Sequence, residues 1–125
     1  MIHYLIDTDC AVYAMLGEYP DLRVRLMECQ LGEVGISAIS FAQIMLAEAQ
    51  GKPPAMSKID LFLSEVPVLP FDEAAGRAYA GLAFRRATVD RLIAAHALSI
   101  GAATVTKNES DFSDIAALKV ENWTR

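Results

Sequence analysis

Short apolar runs alternate along the chain with longer segments whose apolar residues recur at helical spacing. The short runs are rich in β-branched and aromatic residues, which predicts strands. They cover residues 2–6, 34–36, 66–69, 103–106 and 118–121. Strands that alternate with helices predict an α/β domain with a parallel sheet and helices on both of its faces.

The segments between these runs predict the helices. Asp7 or Thr8 can cap the first helix, Asp72 can cap a long alanine-rich one, and Thr88 begins the last. Helices are expected over residues 10–16, 20–31, 41–49, 57–64, 73–86 and 89–100. Residues 108–112 are expected to form a loop or a single helical turn. With 125 residues and no repeat or linker, the chain is predicted to form one domain, residues 1–125.

Composition narrows the class of protein. Apolar residues make up 54% of the chain, enough for one sizeable core. No run reaches the ~18 apolar residues of a membrane span, and the N-terminus lacks the basic and apolar regions of a signal peptide. We therefore expect a cytoplasmic protein. Cys10 and Cys29 lie in no CxxC pattern and are expected to be buried or half-buried thiols.

The net charge of -5 is unusual for a nucleic-acid-binding protein, because phosphate contacts need Lys and Arg. Two interpretations remain open. In the first, the acidic residues gather at a metal site, where the ion reverses the local charge. In the second, the protein pairs with a basic partner.

Polar residues fall where an open α/β sheet places its sites, outside the carboxyl ends of the strands. Asp7 ends the first strand, Gln43 lies in the helix after the second, and Asp90 lies in the first turn of the last helix. Asn108 and Asp111 follow the fourth strand. Converging carboxylates repel each other, and a hard cation such as Mg²⁺ or Mn²⁺ relieves that repulsion. Such an ion can activate water and stabilise charge on a phosphate.

Each of these residues also has a purely structural interpretation. Asp7 could simply cap a helix, and Asp90 would suit a helix N-terminus in any protein. Asn108 and Asp111 are common turn residues. His96 lies in an apolar run and is expected to be a packed helix residue, not a base. No Ser-His-Asp arrangement, P-loop or dinucleotide-binding loop competes with the metal site.

Four stretches carry a resemblance to PIN-domain proteins. They are Leu5–Asp9, which resembles the opening "hydrophobics-Asp-Thr", Asp90–Ala97, which resembles "Asp-x-x-Ile-Ala-Ala", Val105–Phe112, which resembles "Thr-x-Asn-x-x-Asp-Phe", and Leu118–Trp123, which resembles the family's ending. The similarity covers nearly the full length. It is strongest to the VapC-type toxins of bacterial toxin–antitoxin pairs.

The resemblance implies a fold, an activity and partners. The fold would be a PIN-like three-layer α/β/α sandwich with a central, mostly parallel sheet of four or five strands. The activity would be that of a Mg²⁺- or Mn²⁺-dependent RNA endonuclease. Its partners would be an RNA substrate, a small antitoxin that restrains it, and a second copy in a homodimer, with no membrane involved.

The resemblance also assigns residues to the site. The catalytic and metal-binding acids would be Asp7, Asp90 and Asp111, with Thr8, Gln43, Thr106 and Asn108 in supporting positions. Arg85 and Arg86 come just before Asp90 and could contact RNA phosphates.

Two departures from the family pattern leave a second function open. Gln43 stands where the family usually has Glu, and a neutral amide oxygen should weaken metal binding. Asp9 is better placed to substitute for this Glu than Glu48, which lies on a different side of the helix from Gln43. The segment 85–89 is also several residues shorter than in related toxins. The alternative is therefore a weakened or inactive PIN-like module that binds RNA or a protein partner. A small-molecule enzyme has little support, because no cofactor loop is present.

Overall fold

The computed structural model describes residues 1–82 and 88–125. The strands are β1 (Tyr4–Ile6), β2 (Val34–Ser37), β3 (Val68–Leu69), β4 (Ala103–Val105) and β5 (Val120–Glu121). The helices are α1 (Thr8–Leu16), α2 (Pro20–Glu28), α3 (Ala38–Ala49), α4 (Met56–Leu63), α5 (Glu73–Ala80) and α6 (Val89–Ile100), with a 3₁₀ turn at Glu109–Phe112.

The strands form one parallel sheet in the order β3-β2-β1-β4-β5. From β1 the chain builds outward to β2 and β3, then returns to the other side of β1 to form β4. The strand order therefore reverses between β1 and β4, where Ile6 lies opposite Val105. In open α/β sheets such a switch point opens a crevice at the carboxyl ends of the strands.

Adjacent residues of β1 point to opposite faces of the sheet and so divide the core in two. Ile6 packs in a cluster with residues of α1, α2, α3 and α4, among them Cys10, Leu22 and Ile44. Leu5 packs on the other face with Ile93 and other residues of α6. Helices therefore cover both faces of the sheet, and the predicted three-layer α/β/α sandwich is confirmed.

Side-chain caps fix three of the helix starts. The Asp7 carboxylate accepts the Cys10 N–H at the start of α1, Ser37 accepts the Ile39 N–H at α3, and Asp72 accepts the Ala75 N–H at α5. These oxygens satisfy N–H groups that have no partner inside the helix. The predicted first and last helices are confirmed to within two residues.

Several predicted boundaries are wrong. The second helix ends at Glu28, not Leu31, because Leu31 lies in a turn and is exposed. The third helix begins at Ala38, since Ser37 caps it directly. The alanine-rich helix ends at Ala80, followed by a turn at Gly81, and the predicted extension to residue 86 falls largely outside the described residues. The outer strands are shorter than predicted, two residues each in β3 and β5.

The helices within residues 1–82 and 88–125 are all too short or too polar to cross a membrane.

Candidate active site

A polar cavity of about 180 Å³ lies at the carboxyl ends of β1 and β4. Its described lining residues are Asp7, Thr8, Asp9, Gln43, Asp90, Thr106, Asn108, Asp111 and Phe112. Four of these nine carry a carboxylate. No lysine or arginine within residues 1–82 and 88–125 lines this cavity. Negative charge is therefore concentrated here without a basic side chain among the described lining residues to neutralise it.

Asp7 is the innermost acid, with only 5% of its surface exposed. Its carboxylate accepts the Cys10 N–H at 2.9 Å and is hydrogen-bonded by the Thr106 side chain. Burial raises the pKa of Asp7 above its ordinary value, and the nearby Asp9 carboxylate raises it further, although the two hydrogen bonds oppose this. The Asp7 carboxylate is thus held in one orientation, and burial removes much of the water that would stabilise its charge.

Thr106 connects Asp7 to the loop after β4. Besides its hydrogen bond to Asp7, its hydroxyl accepts the Asn108 N–H at 3.1 Å. Thr106 is fully buried. One side chain therefore fixes both the Asp7 carboxylate and the backbone that presents Asn108.

Asp90 and Asp111 both line the cavity, from different elements. Asp90 lies in the first turn of α6 and is half-buried, whereas Asp111 lies in the 3₁₀ turn and is exposed. The pKa of Asp90 is raised first by burial, then by the charges of Asp111 and Asp9. These three acids therefore lie within electrostatic range of one another.

Gln43 reaches the cavity from the second turn of α3. Its side-chain oxygen accepts a hydrogen bond from the Thr8 hydroxyl at 2.5 Å. The amide oxygen keeps one free lone pair, so it can still act as a neutral ligand. At this position the cavity therefore has a polar oxygen without a negative charge.

The cavity brings together Asp7, Thr8, Gln43, Asp90, Thr106, Asn108 and Asp111, every site residue predicted within the described chain. Asp9 joins them. Arg85 and Arg86 lie outside the described residues. His96 is packed as expected, with its Nδ1 2.8 Å from Ser37 Oγ. Phe112, which sequence reasoning did not assign to the site, closes one wall; its place directly after Asp111 was the available signal.

The oxygen donors suit a hard divalent cation only in part. Within the described residues, no three His, Cys, Asp or Glu side chains are grouped closely enough to hold one ion together. Mg²⁺, however, usually keeps several waters and takes only one or two carboxylates from the protein. An ion held by one or two of these aspartates and by water therefore fits the donor set, whereas a site with three direct carboxylates does not fit this side-chain arrangement.

A second, apolar cavity of about 710 Å³ lies away from the acids, between α1, α2 and α4. Met27, Leu31 and Leu61 line it and are 76%, 79% and 72% exposed. Large apolar side chains grouped at the surface commonly mark an interface. We refer to this surface as the apolar groove.

Comparisons with known proteins agree with the fold and the motifs. The PIN domain profile matches residues 4–118. Ribonuclease VapC2 of Rickettsia felis is 30% identical over 96% of this chain and 97% of its own length. The tRNA(fMet)-specific endonuclease VapC of Shigella flexneri is 28% identical over 98% of this chain and 99% of its own length.

A solved structure is similar over the same extent. VapBC2 from Rickettsia felis, bound to a DNA fragment from its promoter, contains a chain that superposes with a TM-score of 0.86 at 28% identity, covering 98% of this chain and 99% of that one. The profile match covers most of the sequence, and the acidic cavity lies at the sheet's switch point. This chain therefore belongs to the PIN-domain family.

Proposed function

We propose that this chain is a divalent-metal-dependent RNA endonuclease and the toxin of a toxin–antitoxin pair. One observation carries the proposal: four aspartates line a single cavity at the switch point of the sheet, with no basic side chain among the described lining residues. Relatives of similar length are named as a ribonuclease and a tRNA endonuclease, which supports RNA as the substrate.

Mg²⁺ or Mn²⁺ would be held by Asp7, Asp90 or Asp111, with Asp9 as a further candidate. When bound, a divalent cation neutralises the carboxylates and stabilises negative charge that develops on a phosphate. The chain's own contribution is orientation. Thr106 and the Cys10 N–H fix Asp7, while the first turn of α6 presents Asp90 to the same space.

RNA cleavage with and without the metal tests the proposal. A labelled RNA should be cut in Mg²⁺ or Mn²⁺ and left intact in EDTA, and Asp7→Asn should abolish cutting. Asp60→Asn makes the same chemical change on an exposed position of α4, outside the cavity lining, and should cut like the unmodified protein. Cutting that persists in EDTA, or in Asp7→Asn, would contradict the assignment.

A second candidate function is a PIN-like module that binds RNA or a protein without cutting. Two observations favour it: Gln43 supplies a neutral oxygen to the cavity, and no three described acids are tightly grouped. Gln43→Glu separates the two functions. If the native site is weakened, this variant should bind Mn²⁺ more tightly by calorimetry and gain RNA cleavage. Measurable cleavage that is equal in both proteins would remove the non-catalytic alternative.

We propose further that a small antitoxin binds the apolar groove. The groove exposes three large apolar side chains on the face that α1, α2 and α4 form. Covering them would remove apolar area from water, the main driving force in most protein association. The similar structure from Rickettsia felis is of VapBC2, which supports a partner of the VapB kind.

A further inference from the structure

One lysine lies beside the acidic cavity and is held by two aromatic rings. Lys107 comes between Thr106 and Asn108, which both line the cavity. Its Nζ lies 5.1 Å from the centre of the Tyr19 ring and 6.0 Å from that of Tyr13. Both rings attract the ammonium group through their negative faces. The position of the charge is therefore fixed by rings from α1 and from the turn before α2.

Among the described residues, no carboxylate forms an ion pair with Lys107. Within the part of the chain that the structure describes, Arg25, Arg77, Arg91 and Arg125 each form an ion pair with an acid, and Lys107 forms none. Its contact with the Tyr19 side chain raises the pKa of Lys107 further above neutrality, so the ammonium group is charged at pH 7. Lys107 is also exposed. It can therefore bind an anion from solvent without first breaking an ion pair.

Tyr19 occupies a backbone conformation that disfavours a large side chain. Its φ of 57° and ψ of 88° lie in the left-handed region, where Gly or Asn would be less strained. It makes no side-chain cap hydrogen bond to α2. Its ring instead packs edge-on against Tyr13, with the centres 4.9 Å apart, and under Lys107. The strained residue thus places an aromatic ring beside Lys107.

The tyrosine pair and the cavity share helix α1. Tyr13 lies one turn after Asp9, so the two occupy the same face of the helix. The pKa of Tyr13 is raised by burial and then by the charge of Asp9, in keeping with this proximity. A nucleic-acid strand with one phosphate at the acids would therefore pass close to Lys107.

We propose that Lys107 binds an RNA backbone phosphate next to the one at the acidic cavity, and that Tyr13 and Tyr19 position its ammonium group. The inference rests on the proposed function, since it assumes that RNA enters this cavity. Four carboxylates repel a polyanion, so a nearby cation without a carboxylate partner offsets part of that repulsion. Lys107 does not line the cavity itself, so the phosphate that it would bind is a neighbour of the one at the acids.

The salt dependence of RNA binding tests this role. A short fluorescein-labelled single-stranded RNA of mixed sequence is titrated by anisotropy with Asp90→Asn protein in EDTA, so that no cleavage intervenes. Adding Lys107→Met should weaken binding about fivefold at low salt and reduce the slope of log K against log salt by about 0.7, the value for one phosphate contact on a single strand. Lys107→Arg should restore both.

Two matched variants separate binding from folding. Lys119→Met removes an exposed lysine at the amino end of β5, whereas the cavity lies at the carboxyl ends of the strands. This variant should leave the slope unchanged. Tyr19→Asn suits the left-handed backbone but lacks the ring; it should keep the Tm and lose RNA affinity. If Lys107→Met lowers the Tm with the slope unchanged, Lys107 only stabilises the fold and the inference is wrong.

The test also distinguishes failure of this inference from failure of the proposed nuclease. Cleavage in Mn²⁺ together with an unchanged slope in Lys107→Met would overturn the inference alone. Absence of cleavage together with a reduced slope would support Lys107 as an RNA-binding residue in a non-catalytic module. If the Asp90→Asn protein binds no RNA at any salt concentration, Lys107 has no phosphate to bind and the inference is overturned.

Discussion

At the scale of single residues, Asp7 combines two roles with opposite effects on stability. As the N-cap of α1 it accepts a backbone N–H, which stabilises the helix. As a buried carboxylate beside Asp9 it carries a charge that the fold disfavours, which is why its pKa is raised. A raised carboxylate pKa means that ionisation at neutral pH reduces stability. Such a cost is typical of functional sites.

Substitution of Asp7 should separate these roles. Asp7→Asn keeps the cap acceptor and removes the charge, so the metal-free variant should be at least as stable as the native protein. Asp7→Ala also loses the cap and should be about 1 kcal/mol less stable than Asp7→Asn. Urea unfolding measures both. An Asn variant less stable than the Ala variant would show that the cap contributes nothing.

Which residues gather at the cavity was predictable from sequence, whereas their interactions were not. Asp7, Asp90 and Asp111 follow strands or open a helix, and residues of that kind meet at the sheet edge in an open α/β fold. The hydrogen bond from Thr8 to Gln43 joins two helices distant in sequence, so no local pattern indicates it. The contact of Lys107 with Tyr19 depends on a left-handed turn that a Tyr-Pro sequence does not predict.

At the scale of elements, β2 packs so closely that one of its positions has little room for a side chain. A Cβ on Gly35 would lie 2.8 Å from Leu69 Cδ1, 3.1 Å from its Cγ and 3.3 Å from Ile2 Cδ1. A Cβ on Gly76 in α5 would meet nothing within 4 Å outside its own helix backbone. The two glycines can therefore be compared directly, since packing crowds a side chain at Gly35 and leaves room for one at Gly76.

Alanine at these two glycines should change stability in opposite directions. Gly35→Ala must displace the partly buried Leu69 side chain and should cost about 1 kcal/mol, the lower end of the range for overpacking. Gly76→Ala replaces a glycine inside a helix and should stabilise by about 0.5–1 kcal/mol. Urea unfolding of both variants gives the comparison. Equal effects of the same sign would contradict the packing of β2 against Leu69.

A buried histidine connects α6 to the start of α3. His96 Nδ1 lies 2.8 Å from Ser37 Oγ, the oxygen that caps α3, and the ring packs edge-on against Phe71. Burial lowers the pKa of His96, and the Asp72 charge offsets this only in part. The folded protein therefore accommodates the neutral imidazole more readily than the protonated form.

The lowered pKa of His96 predicts a loss of stability in mild acid. Above the unfolded pKa of about 6.5, both states carry neutral imidazole and this contribution to stability is complete. Below it, the unfolded chain takes up a proton that the folded chain does not, so stability falls towards the folded pKa, by at most about 1.4 kcal/mol per pH unit. In His96→Gln, the free energy of unfolding measured in urea should depend less on pH over this range. An identical pH dependence in both proteins would assign the loss to other groups.

The helix and strand boundaries that were wrong share a physical cause. Leu31 continues the apolar spacing of α2, yet it lies beyond the helix and is exposed in the apolar groove. Local periodicity identifies apolar residues but not whether they face the core or a partner. Val66 was expected to begin the third strand, but β3 begins two residues later. Val66 is buried without belonging to the sheet, so burial alone does not identify a strand residue.

At the scale of the whole molecule, the strand order determines the site. Alternating strands and helices predict a parallel sheet but not that β4 lies beside β1. That neighbour relation brings residues 7 and 106 into hydrogen-bond contact although nearly the whole chain separates them. The resemblance to PIN domains implies this order, which periodicity alone leaves open.

The apolar groove is the remaining large feature of the described surface, and its role can be tested without disturbing the core. Leu61→Asp changes an exposed residue of α4 inside the groove, so it should alter the free energy of unfolding by no more than about 0.5 kcal/mol. It should nevertheless strongly weaken binding of the proposed small antitoxin, because burying a carboxylate in an apolar contact opposes docking. RNA cleavage by the isolated variant should be unchanged.

Leu46→Asp is the matched control for the groove. Leu46 is 60% exposed on α3 and does not line the groove, so the same substitution there should keep the partner bound. If both variants retain the partner, the groove is not its binding surface. If both lose it, the effect comes from added negative charge on a chain already at -5 and not from the groove. If Leu61→Asp loses the partner and Leu46→Asp keeps it, the exposed apolar side chains of the groove bind the antitoxin.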